Sequence, residues 1–321
     1  MKQFQDRIAV VTGGGTGMGR ELALQLASAG CHVAICDVSE ENALQTVELC
    51  ERRASGGTRI SACLADVGDP GQIAGFRDHV AEVHATDHIH LLFNNAGIAG
   101  GGSFVEDDRE VWDRTFGICW GGVYETTRAF LPMLIASPEG HLVNTSSVNG
   151  FWASLGPNTA HTAYSAAKFA VKGFSEALVN DFRLNAPHLS VSVVMPGHIG
   201  TSLVLNSGKM LGSDPKQLAD DELADWQERM TRMGLVGEGA SPDEVRLAYG
   251  TLTELFRDAA PMTAEAAATA ILDGVREKRW RILVGNDAAV LDRLVREDPE
   301  NAYGQDFMDR LLAETPWMLG S

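Results

Sequence analysis

The sequence predicts an α/β fold with a doubly wound parallel sheet of about seven strands, helices on both faces and a helical C-terminal extension. Three observations lead to this prediction. Short apolar runs rich in β-branched residues alternate with stretches that have the apolar spacing of helices. A glycine-rich turn at 12–19 follows the first apolar run. The alternation continues past residue 180, which favours βαβ units with right-handed crossovers and parallel strands.

The first βα unit sets the pattern for the elements that follow. Ile8–Thr12 is a continuous apolar run, as expected of a strand buried on both faces. A helix is predicted from about Gly19, because Leu22 and Leu26 share one face, and Gly30 ends it. The later elements are, in order, strand 32–36, helix 40–54, strand 58–65, helix 70–85, strand 89–93, a long helical stretch 109–135, strand 141–146, helix 163–184, strand 189–194, helix 263–277 and strand 280–284.

Two segments lie outside this alternation. The segment 200–240 is rich in glycine, methionine and charge, and it follows the sixth strand, where open α/β sheets bind ligands. We predict that it is a substrate lid. The tail 286–321 carries an apolar set too large to leave in water, so we expect it to pack on the lid or on a neighbouring subunit. The apolar residues of the tail are Leu291, Leu294, Phe307, Leu311, Leu312 and Trp317.

Composition and charge exclude several classes of partner. The chain has 26 lysines and arginines and 43 aspartates and glutamates, which gives a net charge of −17. Nucleic acid and anionic membranes are therefore expected to bind poorly. No apolar stretch is long enough to span a bilayer, and the five cysteines form no Cys-x-x-Cys pair. We expect free thiols in a cytoplasmic protein. The histidines have no metal-ligand spacing, so no metal site is predicted.

The glycine-rich turn, TGGGTGMG at 12–19, is the first chemical signal. Glycine lets the backbone turn sharply and approach a pyrophosphate closely, and the following helix N-terminus offers free N–H groups to phosphates. Asp37 ends the second strand 18 residues after Gly19, near the offset typical of a carboxylate that binds the adenosine ribose. Such a carboxylate repels a 2′-phosphate, so NAD is predicted over NADP. The alternative for Asp37 is a helix cap.

Further motifs follow, each at the end of a predicted strand or on the helix before one. They are Asp66-Val67, Asn94-Asn95-Ala96-Gly97, Tyr164-Ser-Ala-Ala-Lys168 with Ser147 upstream, and Pro196-Gly197 with Thr201. Together with the glycine-rich turn they resemble the short-chain dehydrogenase/reductases over about 7–201, and more loosely to 284. The resemblance implies a Rossmann-type dinucleotide-binding catalytic domain, here 1–285, followed by the helical extension 286–321.

The resemblance also assigns roles to individual residues. It implies that Ser147, Tyr164 and Lys168 are catalytic. The implied NAD-binding residues are Gly13, Gly15, Thr16, Gly17, Met18, Gly19, Asp37, Asp66, Val67, Asn95, Ala96, Gly97, Tyr164, Lys168, Pro196, Gly197, Ile199 and Thr201. For Asn94 we favour a structural role, in which its amide joins neighbouring strands.

The chemistry of the three catalytic candidates is consistent with hydride transfer. Tyr164 and Lys168 lie one helical turn apart and share a face. An ordinary tyrosine has a pKa near 10, and a nearby ammonium together with a positive nicotinamide ring favours the phenolate. Ser147 would hydrogen-bond the substrate oxygen while charge develops on it. Ser146, one residue earlier, is expected to point the other way and serve packing.

The chain departs from the family pattern at two places. Cys119 occupies the position where many members carry an asparagine that completes a proton relay to the lysine, so we hypothesise slower dehydrogenation. The stretch between Ser147 and Tyr164 is longer than usual and contains His161, for which an exposed loop position is favoured over ligand contact. Phe151 and Trp152 are either the wall of an apolar pocket or core.

The sequence therefore predicts an NAD-dependent oxidoreductase that acts on a fairly apolar secondary alcohol or ketone, assembled as a dimer or tetramer. The alternative from another class is a dinucleotide-binding sensor or scaffold with weakened catalysis, which Cys119 motivates. A lyase or epimerase on the same scaffold is a more distant third, because a fold does not fix its chemistry.

Overall fold

Seven parallel strands form one sheet through the centre of the molecule, in the order β3-β2-β1-β4-β5-β6-β9. The computed structural model describes residues 1–156, 159–232 and 234–317. The strands of the sheet are β1 (Ile8–Thr12), β2 (His32–Asp37), β3 (Ile60–Leu64), β4 (Leu91–Asn94), β5 (Gly140–Thr145), β6 (Leu189–Pro196) and β9 (Arg281–Val284). The order runs outwards in both directions from β1 and β4, which confirms the predicted doubly wound sheet. A separate parallel pair joins β7 (Ile199–Gly200) to β8 (Met262–Thr263).

Helices cover both faces of this sheet. They are α1 (Gly17–Ser28), α2 (Glu40–Arg53), α3 (Pro70–Val83), α4 (Arg109–Phe116), α5 (Gly122–Ala136), α6 (Thr162–Asn185), α7 (Leu203–Met210), α8 (Ala224–Arg232), α9 (Pro242–Asp258), α10 (Ala264–Arg276), α11 (Asn286–Glu297) and α12 (Gln305–Glu314). None of the helices in the described part of the chain is long and apolar enough to cross a bilayer.

Strand β1 shows how the sequence places these layers. All five of its residues are buried, and successive side chains point to opposite faces. Ala9 and Val11 pack in the cluster that contains Leu22 of α1 and Ile271 of α10. Val10 packs in the cluster on the other face, with residues of α3, α5 and α6. An unbroken apolar run is therefore what a strand between two helical layers requires.

The structure differs from the predicted elements at two helices. The predicted helical stretch 109–135 is divided by a π-helical turn at Gly117–Gly121, between α4 and α5. The region 242–258, for which no element was predicted, forms α9. Its start carries a capping box, in which Ser241 accepts from the Glu244 N–H and Glu244 accepts from the Ser241 N–H. The Ser-x-x-Glu pattern in the sequence was the signal for this helix.

The predicted lid is largely helical and has its own small core. It contains α7, α8 and a short 3₁₀ turn at Asp220–Glu222. Leu223 and Met230 pack against Val245 and Tyr249 of α9. The segment that covers the end of the sheet therefore extends to residue 258 rather than 240.

The described part of the helical extension, 286–317, packs on the loop before α6 and not on the lid, so the first of the two predicted alternatives is wrong, and packing on a neighbouring subunit stays a prediction. Helices α11 and α12 pack around Trp152, which is only 1% exposed. The Trp152 Nε1–H donates to the Ala302 carbonyl over 2.6 Å, and Trp317 Nε1–H donates to the Leu155 carbonyl over 2.8 Å. The loop before α6 offers the extension both an apolar surface and backbone acceptors, whereas the lid already buries its apolar residues on α9. Trp152 is thus core, and the division of domains at 285 stays a prediction.

Candidate active site

A cavity of about 430 Å³ opens at the carboxyl ends of the central strands. Open α/β sheets bind ligands at the carboxyl ends of their strands, at the point where the strand order reverses, which here lies between β1 and β4. The cavity brings together most of the residues predicted to bind the cofactor. Those that line it are Gly13, Thr16, Gly17, Met18, Asp37, Asp66, Val67, Asn95, Ala96, Gly97 and Thr201.

Glycine is required in the turn between β1 and α1. Gly13 has a φ of +63°, and a Cβ on Gly19 would lie 2.0 Å from the Gly13 carbonyl oxygen. The Asn95 side-chain amide donates to the carbonyls of Thr12 and Gly13, at 3.1 and 3.3 Å, which ties the turn to the end of β4. The turn is therefore shaped by backbone contacts that no larger residue permits.

The N-terminus of α1 opens onto this cavity. Thr16, at the N-cap, makes no side-chain cap hydrogen bond within the described residues, and the first turn contains no acidic residue. Free backbone N–H groups and the positive end of the helix dipole suit a phosphate group. The local chemistry therefore fits the pyrophosphate of a dinucleotide.

Asp37 reaches the cavity from the end of β2. Its carboxylate accepts from the Gly15 N–H at 2.9 Å and from the Ser39 N–H at 3.0 Å. Ser39, rather than Asp37, is the N-cap of α2, since its hydroxyl accepts from the Asn42 N–H. The alternative of Asp37 as a simple helix cap is thus not what the structure shows.

Ser147, Tyr164 and Lys168 meet where β5 ends against α6. Ser147 is 7% exposed and Lys168 is 3% exposed. The Lys168 ammonium donates to the Thr145 carbonyl over 2.9 Å and lies 5.3 Å from the centre of the Tyr164 ring. Ser147, which lies on another element, is thus a neighbour in space of the two side chains on α6.

The comparison with models of protein families identifies the family of this chain. The model described as short chain dehydrogenase matches residues 7–211, which is more than half of the chain. The chain belongs to the short chain dehydrogenase family. Members of this family are oxidoreductases, and the relatives described below carry that description.

Two of three similar proteins span more than nine tenths of the chain. A putative oxidoreductase SadH from Mycobacterium tuberculosis is 32% identical over 297 residues, which cover 92% of either protein. A short chain dehydrogenase/reductase from Burkholderia phymatum, solved in complex with NAD, is 27% identical and matches with a TM-score of 0.72, covering 95% of this chain and 98% of that one. A metagenomic short-chain oxidoreductase, solved in complex with NADP, is 28% identical with a TM-score of 0.53, over 60% of this chain and 83% of that one.

The acid–base properties of this short chain dehydrogenase depend chiefly on burial. Burial raises the pKa of Tyr164 above its ordinary value, and the Ser147 hydroxyl, which hydrogen-bonds it, works in the opposite direction. Burial likewise lowers the pKa of Lys168. The sequence predicts that the ammonium and the nicotinamide ring together favour the phenolate, but in the chain by itself desolvation is the largest effect on the Tyr164 pKa.

Several residues predicted to bind cofactor do not line the cavity. Gly15 turns towards Asp37, Gly19 packs on Gly13, and Gly197 leaves room for the buried Asp287 carboxylate. Ile199 is buried in the core beside β8. The remaining ones are Tyr164, Lys168 and Pro196. Their roles towards the cofactor stay predictions, and the glycines contribute to the shape of the site.

The cavity also contains lid residues that the motifs did not identify. Helix α7 supplies Leu203, Asn206, Lys209 and Met210. The Asn206 amide donates to the Thr16 hydroxyl over 3.3 Å, so the lid reaches across the cavity to the glycine-rich turn. The sequence placed a lid here, but lid residues follow no spacing rule that would select these four. The other lining residues that the motifs missed are Val38, Ser39, Glu41, Asn42, Ala65, Ile98 and Ile118.

The asparagines and serines next to the motifs have structural roles. Asn94 donates to Asn144 on β5 over 2.9 Å, which confirms that its amide joins neighbouring strands. Ser146 donates to the Lys168 carbonyl over 2.7 Å and is buried, which confirms a packing role. These bonds hold β4, β5 and α6 in a fixed arrangement behind the reacting groups.

Cys119 lies in the π-helical turn, beside the active site. Its thiol donates to the Ile98 carbonyl over 3.1 Å. The turn is an insertion in an otherwise continuous helix, a feature frequent at functional sites. The hypothesis that this residue slows dehydrogenation stays open, since the thiol's single strong contact is with the backbone rather than with Lys168.

His161 is not the exposed loop residue that the sequence favoured. The centre of its ring lies 4.7 Å from that of Tyr164, with 31° between the ring planes. The preference for an exposed position was wrong because the residues that follow His161 are bound to the loop after β4, and its side chain is only partly exposed. His161 therefore belongs to the surroundings of the active site.

Proposed function

We propose that this short chain dehydrogenase transfers a hydride between the nicotinamide of NAD and the carbinol carbon of a fairly apolar secondary alcohol, or the carbonyl carbon of its ketone. The convergence of Ser147, Tyr164 and Lys168 beside the cavity is the observation that supports this proposal. When bound, the cofactor supplies or accepts the hydride. The protein must then bind the substrate oxygen and move one proton.

Ser147, Tyr164 and Lys168 each have a separate role in binding the substrate oxygen and moving the proton. Ser147 donates a hydrogen bond to the substrate oxygen and stabilises the charge that develops there. Tyr164 gives its hydroxyl proton to that oxygen during ketone reduction and takes it back during alcohol oxidation. Lys168, held by the Thr145 carbonyl, places a positive charge beside the phenol and favours its ionised form during oxidation.

The direction of the tyrosine shift predicts how each reaction depends on pH. Because burial raises the Tyr164 pKa, the neutral phenol predominates near neutral pH and is ready to donate. Oxidation needs the phenolate, so its kcat should rise with pH by up to about tenfold per unit below that pKa, while the kcat of reduction stays nearly flat through neutrality. Initial rates at saturating substrate in both directions measure this. An oxidation rate that falls from neutral to alkaline pH would contradict the role of Tyr164.

The preference for NAD rests on the Asp37 carboxylate in the cavity. We expect Asp37→Asn, which keeps the side-chain size and removes the charge, to shift the ratio of kcat/KM for NAD and NADP towards NADP by at least about tenfold, because a like charge next to a 2′-phosphate costs several kcal/mol. Glu40→Gln is the matched control, since Glu40 is an exposed residue of α2 outside the cavity. An equal shift in both variants would indicate a general charge effect instead.

The proposed function is tested by measuring NADH absorbance in two assays of the purified protein. One assay contains NAD and a secondary alcohol from a panel, and the other contains NADH and the matching ketone. Turnover that depends on the substrate supports the proposal. Cofactor binding without turnover in either direction, on a panel that includes cyclic and aryl alcohols, would favour the sensor or scaffold instead.

We also propose that the protein is a cytoplasmic dimer or tetramer. All five cysteines are free, as a reducing compartment allows. Tyr124 on α5 and Phe169 on α6 are both 41% exposed, on the helices through which association is expected. Size-exclusion chromatography with light scattering measures the assembly, and a monomer at micromolar concentration would contradict it.

A further inference from the structure

His161 is a polar residue next to the reacting group for which the proposed reaction has no use. It precedes α6, and its ring lies against the Tyr164 ring at a centroid distance of 4.7 Å. The two ring planes are inclined by 31°. The imidazole is therefore next to the ring that carries the reacting hydroxyl.

The position of this ring is fixed by its neighbours. The N–H groups of Thr162 and Ala163 donate to the carbonyls of Gly102 and Gly101, at 2.9 and 3.0 Å. The Trp112 indole donates to the Thr162 hydroxyl over 3.2 Å. The start of α6 is thus bound to the loop after β4, and His161 has little freedom to leave the phenol.

The loop after β4, to which the start of α6 is bound, lies between α4 and the lid. A Cβ on Gly100 would lie 2.5 Å from Leu211, so the lid closes on this loop with an apolar side chain. Burial lowers the pKa of His161 to about 4, so the ring is neutral near pH 7 and has one donor and one acceptor nitrogen. The side chain is only partly exposed, and a ligand that displaces water from it must replace the hydrogen bonds that the water makes.

We propose that His161 recognises a second oxygen of the substrate, on the carbon next to the reacting carbon, by a hydrogen bond to its imidazole. The inference rests on the proposed function and narrows the substrate class to vicinal diols, α-hydroxy ketones and vicinal diketones. The reacting oxygen hydrogen-bonds to Tyr164 and Ser147, and the second oxygen hydrogen-bonds to His161. The carbon chain beyond it contacts the apolar side of the pocket.

The test measures binding without turnover. NADH and an alcohol cannot react with each other, so the Kd of the NADH-loaded protein for 2,3-butanediol and for 2-butanol is read from the quenching of bound NADH fluorescence. The wild type should bind the diol at least about tenfold more tightly than the mono-alcohol, as one good hydrogen bond gives. His161→Phe, which keeps a ring against Tyr164, should abolish this difference, and His161→Gln should restore part of it.

Kinetics provide the second measurement. In His161→Phe the KM for the diol should rise about tenfold with little change in kcat, because the lost bond is made equally in the ground and transition states. His88→Phe is the control, since His88 lies before β4 at the opposite edge of the sheet. Equal affinity of the wild type for both alcohols, or an equal loss of both in His161→Phe, overturns the inference. Selective diol binding without any turnover would instead refute the proposed function alone.

Discussion

Replacement of Tyr164 by phenylalanine is expected to reduce turnover by about 10²- to 10⁴-fold in both directions, the range typical of losing a general acid–base group. The substitution removes one oxygen atom and keeps the ring that packs beside His161 and Lys168. The substrate oxygen then has no proton donor during reduction and no proton acceptor during oxidation. The measurement is kcat with the best alcohol and ketone of the panel, in wild type and variant.

Cofactor binding separates this loss from a structural defect. The cavity residues lie mainly on the glycine-rich turn and the ends of β2 and β4, so the Kd for NADH should change by less than about threefold, within the roughly 0.5 kcal/mol usual for a substitution outside a binding contact. Tyr124→Phe, the same chemical change at a half-exposed position on α5, should retain full activity. A Tyr164→Phe variant with wild-type turnover would remove the phenol from the mechanism. A large drop in NADH affinity would instead make it a cofactor ligand.

The parts of the site that the sequence predicts are those where one residue type is demanded by backbone geometry or by chemistry. Gly13 and Gly19 are such residues, because a side chain at Gly13 would collide with the backbone of Ala96 and one at Gly19 with the Gly13 carbonyl. Tyr164 and Lys168 are another pair, because a helical turn places them together whatever surrounds the helix. The apolar run of β1 predicts a doubly covered strand for the same reason, since the pattern depends only on local geometry and burial.

The parts that escaped prediction depend on which segments meet in three dimensions. Lys209 and Asn206 reach the cavity because α7 folds across it, and nothing local to their sequence specifies that path. The sequence predicts an exposed loop position for His161, but the start of α6 is bound to the loop after β4, which nothing near His161 in the sequence specifies. The sequence identified the apolar residues of the extension, but several surfaces were available to cover them, and the choice between lid and loop depends on complementary shape.

Replacement of Trp152 by alanine is expected to reduce the free energy of unfolding by about 3–5 kcal/mol, the usual cost of deleting a large aromatic side chain from a core. Trp152 is 1% exposed, stacks with Tyr303, and has ring centres of Phe307 and Trp317 within 5.6 Å. Its removal leaves a cavity at the centre of the cluster and the Ala302 carbonyl without its donor. Urea unfolding measures the loss, and Trp280→Ala, at a position that is 46% exposed, should cost less than about 1 kcal/mol.

The same variant shows whether the extension supports the substrate side of the site. If α11 and α12 hold the loop that ends at His161, limited proteolysis of Trp152→Ala should cut within 286–317 and within the loop, and the KM for substrate should rise before the affinity for NADH changes. The reason is that the cofactor cavity is built from β1, β2, β4 and α7, none of which contributes to the cluster around Trp152. Parallel loss of substrate and cofactor binding would show that the extension stabilises the whole sheet. An unchanged unfolding free energy would show that the extension is dispensable to the fold.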